Sequence, residues 1–198
     1  MSEKPDSNFF LRQGFKYFNR FMVFLWRLGL GGIINWGHPY SGRIMVLRHW
    51  GRKSGTRRET PVNYAIIGGD VYCTAGFGGS TDWYRNVVSS PQVEVWLPDE
   101  WWTGTAEDVS DSPDRLSLLR NVLKNSGFAA YAAGIDPEKM TDTQLDVATR
   151  EYCLVRIRRG EARTGKGGPG ELAWVWPIAV FAMLPFVMGN RRRRAKRR

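Results

Sequence analysis

Val62–Ile67 and Val71–Ala75 are strand-length apolar runs separated only by Gly68-Gly69-Asp70. A connection this short joins two extended runs in one way, as an antiparallel hairpin. Ile44–Trp50 precedes them as another strand, across a Gly/Arg-rich stretch over 51–60 that cannot continue a core. Further along, Gln92–Leu97 alternates, Pro98-Asp99-Glu100 turns the chain, and Trp101–Val109 runs back as its partner. Tyr152–Arg158 reads as the closing strand. Strands joined mostly by short turns, with only short helices between them, exclude a Rossmann unit. They favour a small closed or half-open antiparallel barrel, an α+β fold that is mainly β. No GxGxxG follows any strand, so a dinucleotide fingerprint is absent.

Helical patterning lies at the two ends and in short stretches between the strands. Phe9–Leu30 carries Arg12, Lys16, Arg20 and Arg27 on one stripe, while aromatic and aliphatic residues cover most of the remaining surface. Such an amphipathic helix suits a membrane interface or a protein core. Gly29, Gly31 and Gly32 are expected to end it. Ser80 or Asp82 is placed to cap a helix over Trp83–Ser89, and Ser112-Pro113-Asp114 starts another that reaches about Asn125. Residues 126–150 read as mixed helix and loop. Leu172–Met188 has no charge but is interrupted by Pro177 and Pro185. As a helix it would be about 26 Å long, a marginal span of a bilayer core of roughly 30 Å.

The expected organisation is a leader and amphipathic helix over 1–36, a barrel over 37–160, a Gly/Lys/Arg linker over 161–170, and an apolar segment with a basic tail over 171–198. The formal net charge is +10, but seven of the 29 basic residues fall in Arg191–Arg198, so the body is only mildly basic. A basic tail directly after an apolar stretch favours anionic lipid headgroups. A nucleic-acid-binding role is the weaker alternative, because the body has no helix-turn-helix or zinc-finger pattern. Cys73 and Cys153 stand alone without CxxC spacing, and His38 and His49 are the only histidines. The sequence therefore assembles no metal site. The cysteines read as small buried hydrophobes.

Two segments carry chemistry. Arg52-Lys53-Ser54-Gly55, with Arg57 and Arg58 following, supplies a turn with free backbone N–H groups, a hydroxyl and cations, which suits phosphate. The Walker pattern is absent. Gly76-Phe77-Gly78-Gly79 permits close approach of a flat ligand, and the helix after it points its N-terminal amides toward that place. A planar, phosphate-bearing cofactor would use both.

The order strand, GRKSG, basic residue, Pro, strand, Gly-Gly-Asp turn, strand, Gly-Gly, Trp-Tyr-x-Asn, Pro, strand closely resembles the deazaflavin-dependent nitroreductase family over about residues 44–158. The resemblance implies a split, FMN-binding-like β-barrel and coenzyme F420, with FMN as the alternative cofactor. It implies that Arg52, Lys53, Ser54 and Gly55, with Arg58 and Pro61, hold the cofactor's phosphate and acidic tail. Ala75, Gly76, Phe77, Gly78 and Gly79 would lie against the deazaflavin rings, and Trp83 and Asn86 beside the pocket. Three features depart from the family pattern: Phe77 ahead of the double glycine, His49 and Trp50 before the phosphate loop, and Phe128 and Tyr131 where members carry several tyrosines.

The expected function is hydride transfer from reduced deazaflavin to an apolar conjugated acceptor, with Tyr131 as the hydroxyl that orients or protonates it. Tyr64 and Tyr84 have the same chemistry but fit core packing better. A non-enzymatic cofactor or lipophile carrier is the rival class. Since a crossing would set the barrel apart from a cytoplasmic cofactor pool, the expected location is monotopic, on the cytoplasmic face of the membrane. The acceptor there would be a lipophilic small molecule such as a quinone. A homodimer is expected by analogy with barrels of this kind.

Overall fold

The computed structural model describes residues 7–36, 42–163 and 170–183. Its centre is a closed barrel of β1 (Ile44–Trp50), β2 (Arg57–Ile67), β3 (Asp70–Ala75), β4 (Gln92–Trp96), β5 (Trp101–Asp108) and β6 (Cys153–Ala162). The order around it is β1-β2-β3-β6-β5-β4, and β4 pairs back onto β1. Every pairing is antiparallel. The β2–β3 turn works as the sequence predicts: Gly68 and Gly69 have φ of 61° and 90°, and Ile67 pairs with Asp70. Positive φ at both central residues matches the twist of a two-residue hairpin, which glycine adopts at little cost.

Alternation fills the interior. Met45 and Leu47 of β1, Val62 and Tyr64 of β2, Val71 and Cys73 of β3, and Val155 and Ile157 of β6 share one buried cluster. Cys73 is fully buried, which pushes its thiol up to about 12, and it behaves as the small hydrophobe the sequence suggests. Cys153 is only half-buried, at the start of β6.

Around the barrel lie α1 (Ser7–Arg27), α2 (Gly31–Trp36), α3 (Asp82–Ser89), α4 (Arg115–Lys124), α5 (Phe128–Ala132) and α6 (Asp142–Ala148). Leu119 and Val122 of α4 pack with Ala65, Tyr72 and Leu154. The end of α1 covers the opposite outer face, where Trp26 meets Val46 and Trp96. Arg48 follows Val46 on that face and is 3% exposed. Its guanidinium sits 2.9 Å from both Glu59 and Glu94 and 4.4 Å from the centre of the Trp96 ring. Arg27 of α1 joins the cluster through Glu59 at 2.7 Å. The charges are buried but paired, which is how a barrel face tolerates them.

Three expectations are corrected. β2 begins at Arg57 rather than Val62, because Arg57 to Pro61 already pair with β1 although they add little to the core. Pro61 falls in this stretch, beyond the β3 pairing that starts at Tyr64, so its missing N–H is tolerated. β6 continues past Arg158 to Ala162, because Arg158 and Arg159 still pair with Thr105 and Gly104. The first helix stops at Arg27 rather than Leu30. Gly29 has φ 79°, the Leu30 N–H reaches the Leu25 carbonyl at 3.0 Å, and the Gly29 N–H reaches that of Trp26 at 2.9 Å. That pair of bonds is a Schellman stop. Gly31 and Gly32, expected as part of the terminator, instead begin α2.

Part of the expected C-terminal segment is described. Residues 175–183 are helical. The segment docks on the end of α1 through Leu172 N–H to the Arg27 carbonyl at 3.0 Å and Trp176 Nε1 to the Leu28 carbonyl at 2.8 Å. Among the described residues no helix is long and apolar enough to cross a membrane. The leader up to residue 6, the hinge around Gly37 and Pro39, most of the linker, residues 184–188 and the basic tail lie outside the described residues.

Candidate active site

The loop between β1 and β2 folds on itself. Gly51 N–H reaches the Thr56 carbonyl at 2.8 Å, and Ser54 and Gly55 N–H reach the Gly51 carbonyl at 3.2 and 2.7 Å. Arg52 N–H is bound to Asn86 Oδ1 at 3.1 Å. The backbone donors expected to be free are therefore largely used inside the protein. What the loop offers outward is charge: Lys53 and Arg58 are exposed and have no ion-pair partner among the described residues.

The second segment turns through Gly78, whose φ is 64°. A Cβ there would stand 2.4 Å from the Glu151 carbonyl oxygen, so only glycine fits. The helix cap is Thr81, not Ser80 or Asp82, and its side chain makes no capping bond. Thr81 Oγ1 is buried and has no partner among the described residues, an unusual state for a hydroxyl.

α3 then projects Asn86 inward, where it is buried. Arg52 Nη1 lies 3.0 Å from both Asn86 Oδ1 and Asp82 Oδ1, tying the loop to the first two turns of α3. Asn86 Nδ2 meets His49 Nδ1 at 3.3 Å, and His49 Nε2 meets Thr60 Oγ1 at 3.1 Å. Burial, and then the Arg58 cation, lower the His49 pKa to about 4, against a backbone hydrogen bond at Trp50. The ring is neutral at pH 7.

These groups face a cleft of about 680 Å³ between α1 and the barrel. Asn19, Arg20, Val23, Phe24 and Arg27 of α1 form one wall. His49, Arg58, Glu59 and Thr60 form the barrel side, and Phe77, Thr81, Asp82, Trp83 and Asn86 the third. Arg27 is neutralised by Glu59 and Arg52 by Asp82. Arg20 and Arg58 have no ion-pair partner among the described residues, which leaves the cleft cationic. The size suits a cofactor-sized ligand.

Of the residues singled out in the sequence, Arg58, Phe77, Trp83 and Asn86 line the cleft. Arg52 supports it from behind through Asn86. Lys53, Ser54 and Gly55 form the exposed loop tip. Ala75 ends β3, Gly76 lies against the Tyr152 ring, and Gly78 and Gly79 form the turn before α3. Pro61 pairs opposite Val46, away from the cleft lining. Tyr131 sits half exposed on α5, whose Ala130 packs with Leu123, Ile135 and Leu145, and it does not line the cleft. Tyr64 is buried in the barrel, and Tyr84 is held by Asp108.

Sequence reasoning missed Thr60, Thr81 and the α1 wall. One signal was available: His49 continues the inward row of Met45 and Leu47, and a polar residue ending such a row marks a cavity edge. The unpartnered Thr81 hydroxyl, the free cations and the aromatic wall of Phe77 and Trp83 fit a planar phosphate-bearing group.

A closed six-stranded antiparallel barrel with this cleft on its flank belongs to the split β-barrel class of flavin- and deazaflavin-binding proteins. Within that class, the chain belongs to the F420H(2)-dependent quinone reductase family, whose family model matches residues 29–148. Similar solved structures include an F420-H2 dependent reductase, at 21% identity and TM-score 0.44, covering 59% of this chain and 94% of that one. A conserved hypothetical protein of Mycobacterium tuberculosis matches at 18% identity and TM-score 0.46, covering 70% and 83%. A heme binding protein of Mycobacterium smegmatis matches at 16% identity and TM-score 0.47, covering 67% and 55%.

Proposed function

We propose that the chain is an F420-dependent reductase that passes hydride from reduced deazaflavin to an apolar conjugated acceptor, with a membrane quinone as the preferred acceptor class. The observation that carries this reading is the cleft itself, which combines free cations, aromatic walls and an unpartnered buried hydroxyl in a chain of this family. Bound as the reduced coenzyme, a deazaflavin supplies a hydride and a proton, which together convert a quinone to its hydroquinone.

The chain's own residues bind, orient and exclude water. Arg58 and Arg20 attract the anionic part of the cofactor, with Lys53 adding charge at the loop tip. Phe77, Trp83, Val23 and Phe24 provide apolar surface for flat rings and keep water from the reacting face. The hydroxyls of Thr60 and Thr81, rather than the distant Tyr131, are available to orient a ligand in the cleft.

The protein would act while attached to one membrane face. Tyr17, Phe18, Phe21 and Phe24 of α1 are exposed, as are Trp174, Ile178 and Phe181 of the segment docked beside it. Arg20 lies among the first group, and the sequence ends in a basic tail. Exposed aromatics with neighbouring cations suit an anionic lipid surface, and the same helix α1 walls the cleft. Titration with F420 and with FMN tests the cofactor: F420 binds more tightly, while equal affinity or a preference for FMN contradicts the reading.

A further inference from the structure

We propose that Thr60 is a ligand-binding hydroxyl of the cleft, held as a hydrogen-bond donor by a polar relay running from Arg52 through Asn86 and His49. The ligand it names rests on the deazaflavin reading, and the relay rests on geometry.

The direction of each bond is fixed by the donors at the start. Arg52 presents its main-chain N–H at 3.1 Å and its Nη1 at 3.0 Å to one atom of Asn86. Two donors need an acceptor, so that atom is Oδ1. The amide NH₂ then faces His49 Nδ1 at 3.3 Å, which makes Nδ1 the accepting nitrogen. In a neutral imidazole the proton must then sit on Nε2. Nε2 lies 3.1 Å from Thr60 Oγ1, so His49 donates and Thr60 accepts. The Thr60 hydroxyl hydrogen is left over. Among the described residues no other group bonds Oγ1, and Thr60 lines the cleft. Its hydrogen is therefore available to a ligand that presents an acceptor, such as a ring carbonyl or ring nitrogen of a planar heterocycle. Burial and Arg58 keep His49 from taking a second proton.

This gives His49 a role as a positioning residue. It touches no ligand through this bond but sets which way the Thr60 hydroxyl points. The competing arrangement puts the proton on Nδ1. Nε2 would then accept from Thr60, and the cleft would lose its donor.

The test has two arms. In ¹⁵N-labelled intact protein at pH 7, long-range ¹H–¹⁵N correlation reads the His49 tautomer, with a His38→Gln variant removing the other histidine. The relay predicts the Nε2–H form, and an Nδ1–H or doubly protonated ring overturns it. In the second arm F420 is titrated into wild type, Thr60→Val, Thr60→Ala and Thr60→Ser. Val and Ala should each weaken binding about tenfold, and Ser should stay within about twofold. Wild-type affinity in both Val and Ala overturns the Thr60 role and leaves the deazaflavin reading standing. Failure of wild type to bind F420 overturns that reading and the named ligand, and the imidazole spectrum still decides the relay.

Discussion

Asn86 Oδ1 accepts two hydrogen bonds from Arg52, one from the main-chain N–H at 3.1 Å and one from Nη1 at 3.0 Å. One buried amide thus joins the β1–β2 loop to α3 and, through its other end, to His49. The resemblance places Asn86 beside the pocket, and its position both ties the loop to α3 and lines the cleft. Asn86→Ala should lower the stability of the apo protein by about 1–3 kcal/mol, since it strands a buried ring nitrogen and an arginine N–H. F420 affinity should fall as well. Urea unfolding beside cofactor titration reads both effects, and an unchanged unfolding midpoint contradicts the structural half.

His49 makes stability depend on pH. Its folded pKa of about 4 lies below the ordinary value of 6.5, so the unfolded chain takes up a proton before the native one does. Stability from this residue is fully present above pH 6.5 and is lost as pH falls from there toward 4. The loss is on the order of 3 kcal/mol across that range. Most carboxylates remain ionised down to about pH 5, so the interval between 6.5 and 5 isolates the effect. Denaturant unfolding of wild type across that interval should show the slope, and a His49→Gln variant should flatten it.

Arg58 is a barrel-side cation of the cleft without an ion-pair partner among the described residues, whereas Arg52 is already engaged by Asp82 and Asn86. Arg58→Ala should therefore weaken F420 binding several-fold and reduce its salt dependence, because a charge-assisted contact is lost. Lys53→Ala, at the loop tip, should have a smaller effect. Calorimetry at two ionic strengths distinguishes them, and an unchanged salt slope for Arg58→Ala would mean that its charge is only solvated.

The barrel was legible in the sequence because its strands alternate and its turns are short, as at Gly68-Gly69. The start of β2 was not, because Arg57, Arg58 and Glu59 pair with β1 without an apolar pattern to announce it. The motif shared by Arg58, Trp83 and Asn86 pointed to residues that line the cleft. Thr60 was hidden because its role depends on a cross-strand neighbour: His49 pairs with Arg58, yet its ring reaches the hydroxyl two residues on. The α1 wall was hidden for a different reason. Periodicity gave a helix with an apolar face, but it could not say which part of the barrel Trp26 would cover.

Membrane attachment makes its own prediction. Intact protein should float with vesicles containing anionic lipid and less with neutral ones, and high salt should weaken the association. Replacing Phe21 and Phe181 with Ser should reduce flotation while leaving F420 binding intact, since neither lines the cleft. Absence of wild-type protein from the floated fraction at low salt contradicts the attachment.

The most direct test of the central claim is single-turnover oxidation of F420H2 by intact protein in detergent, with a lipophilic quinone as acceptor. The expected result is loss of one reduced deazaflavin for each hydroquinone formed, at a rate that depends on enzyme and falls in Arg58→Ala. Tight F420 binding with no oxidation above the enzyme-free rate, across quinones of differing tail length, would contradict the quinone reductase account and leave a cofactor carrier in its place.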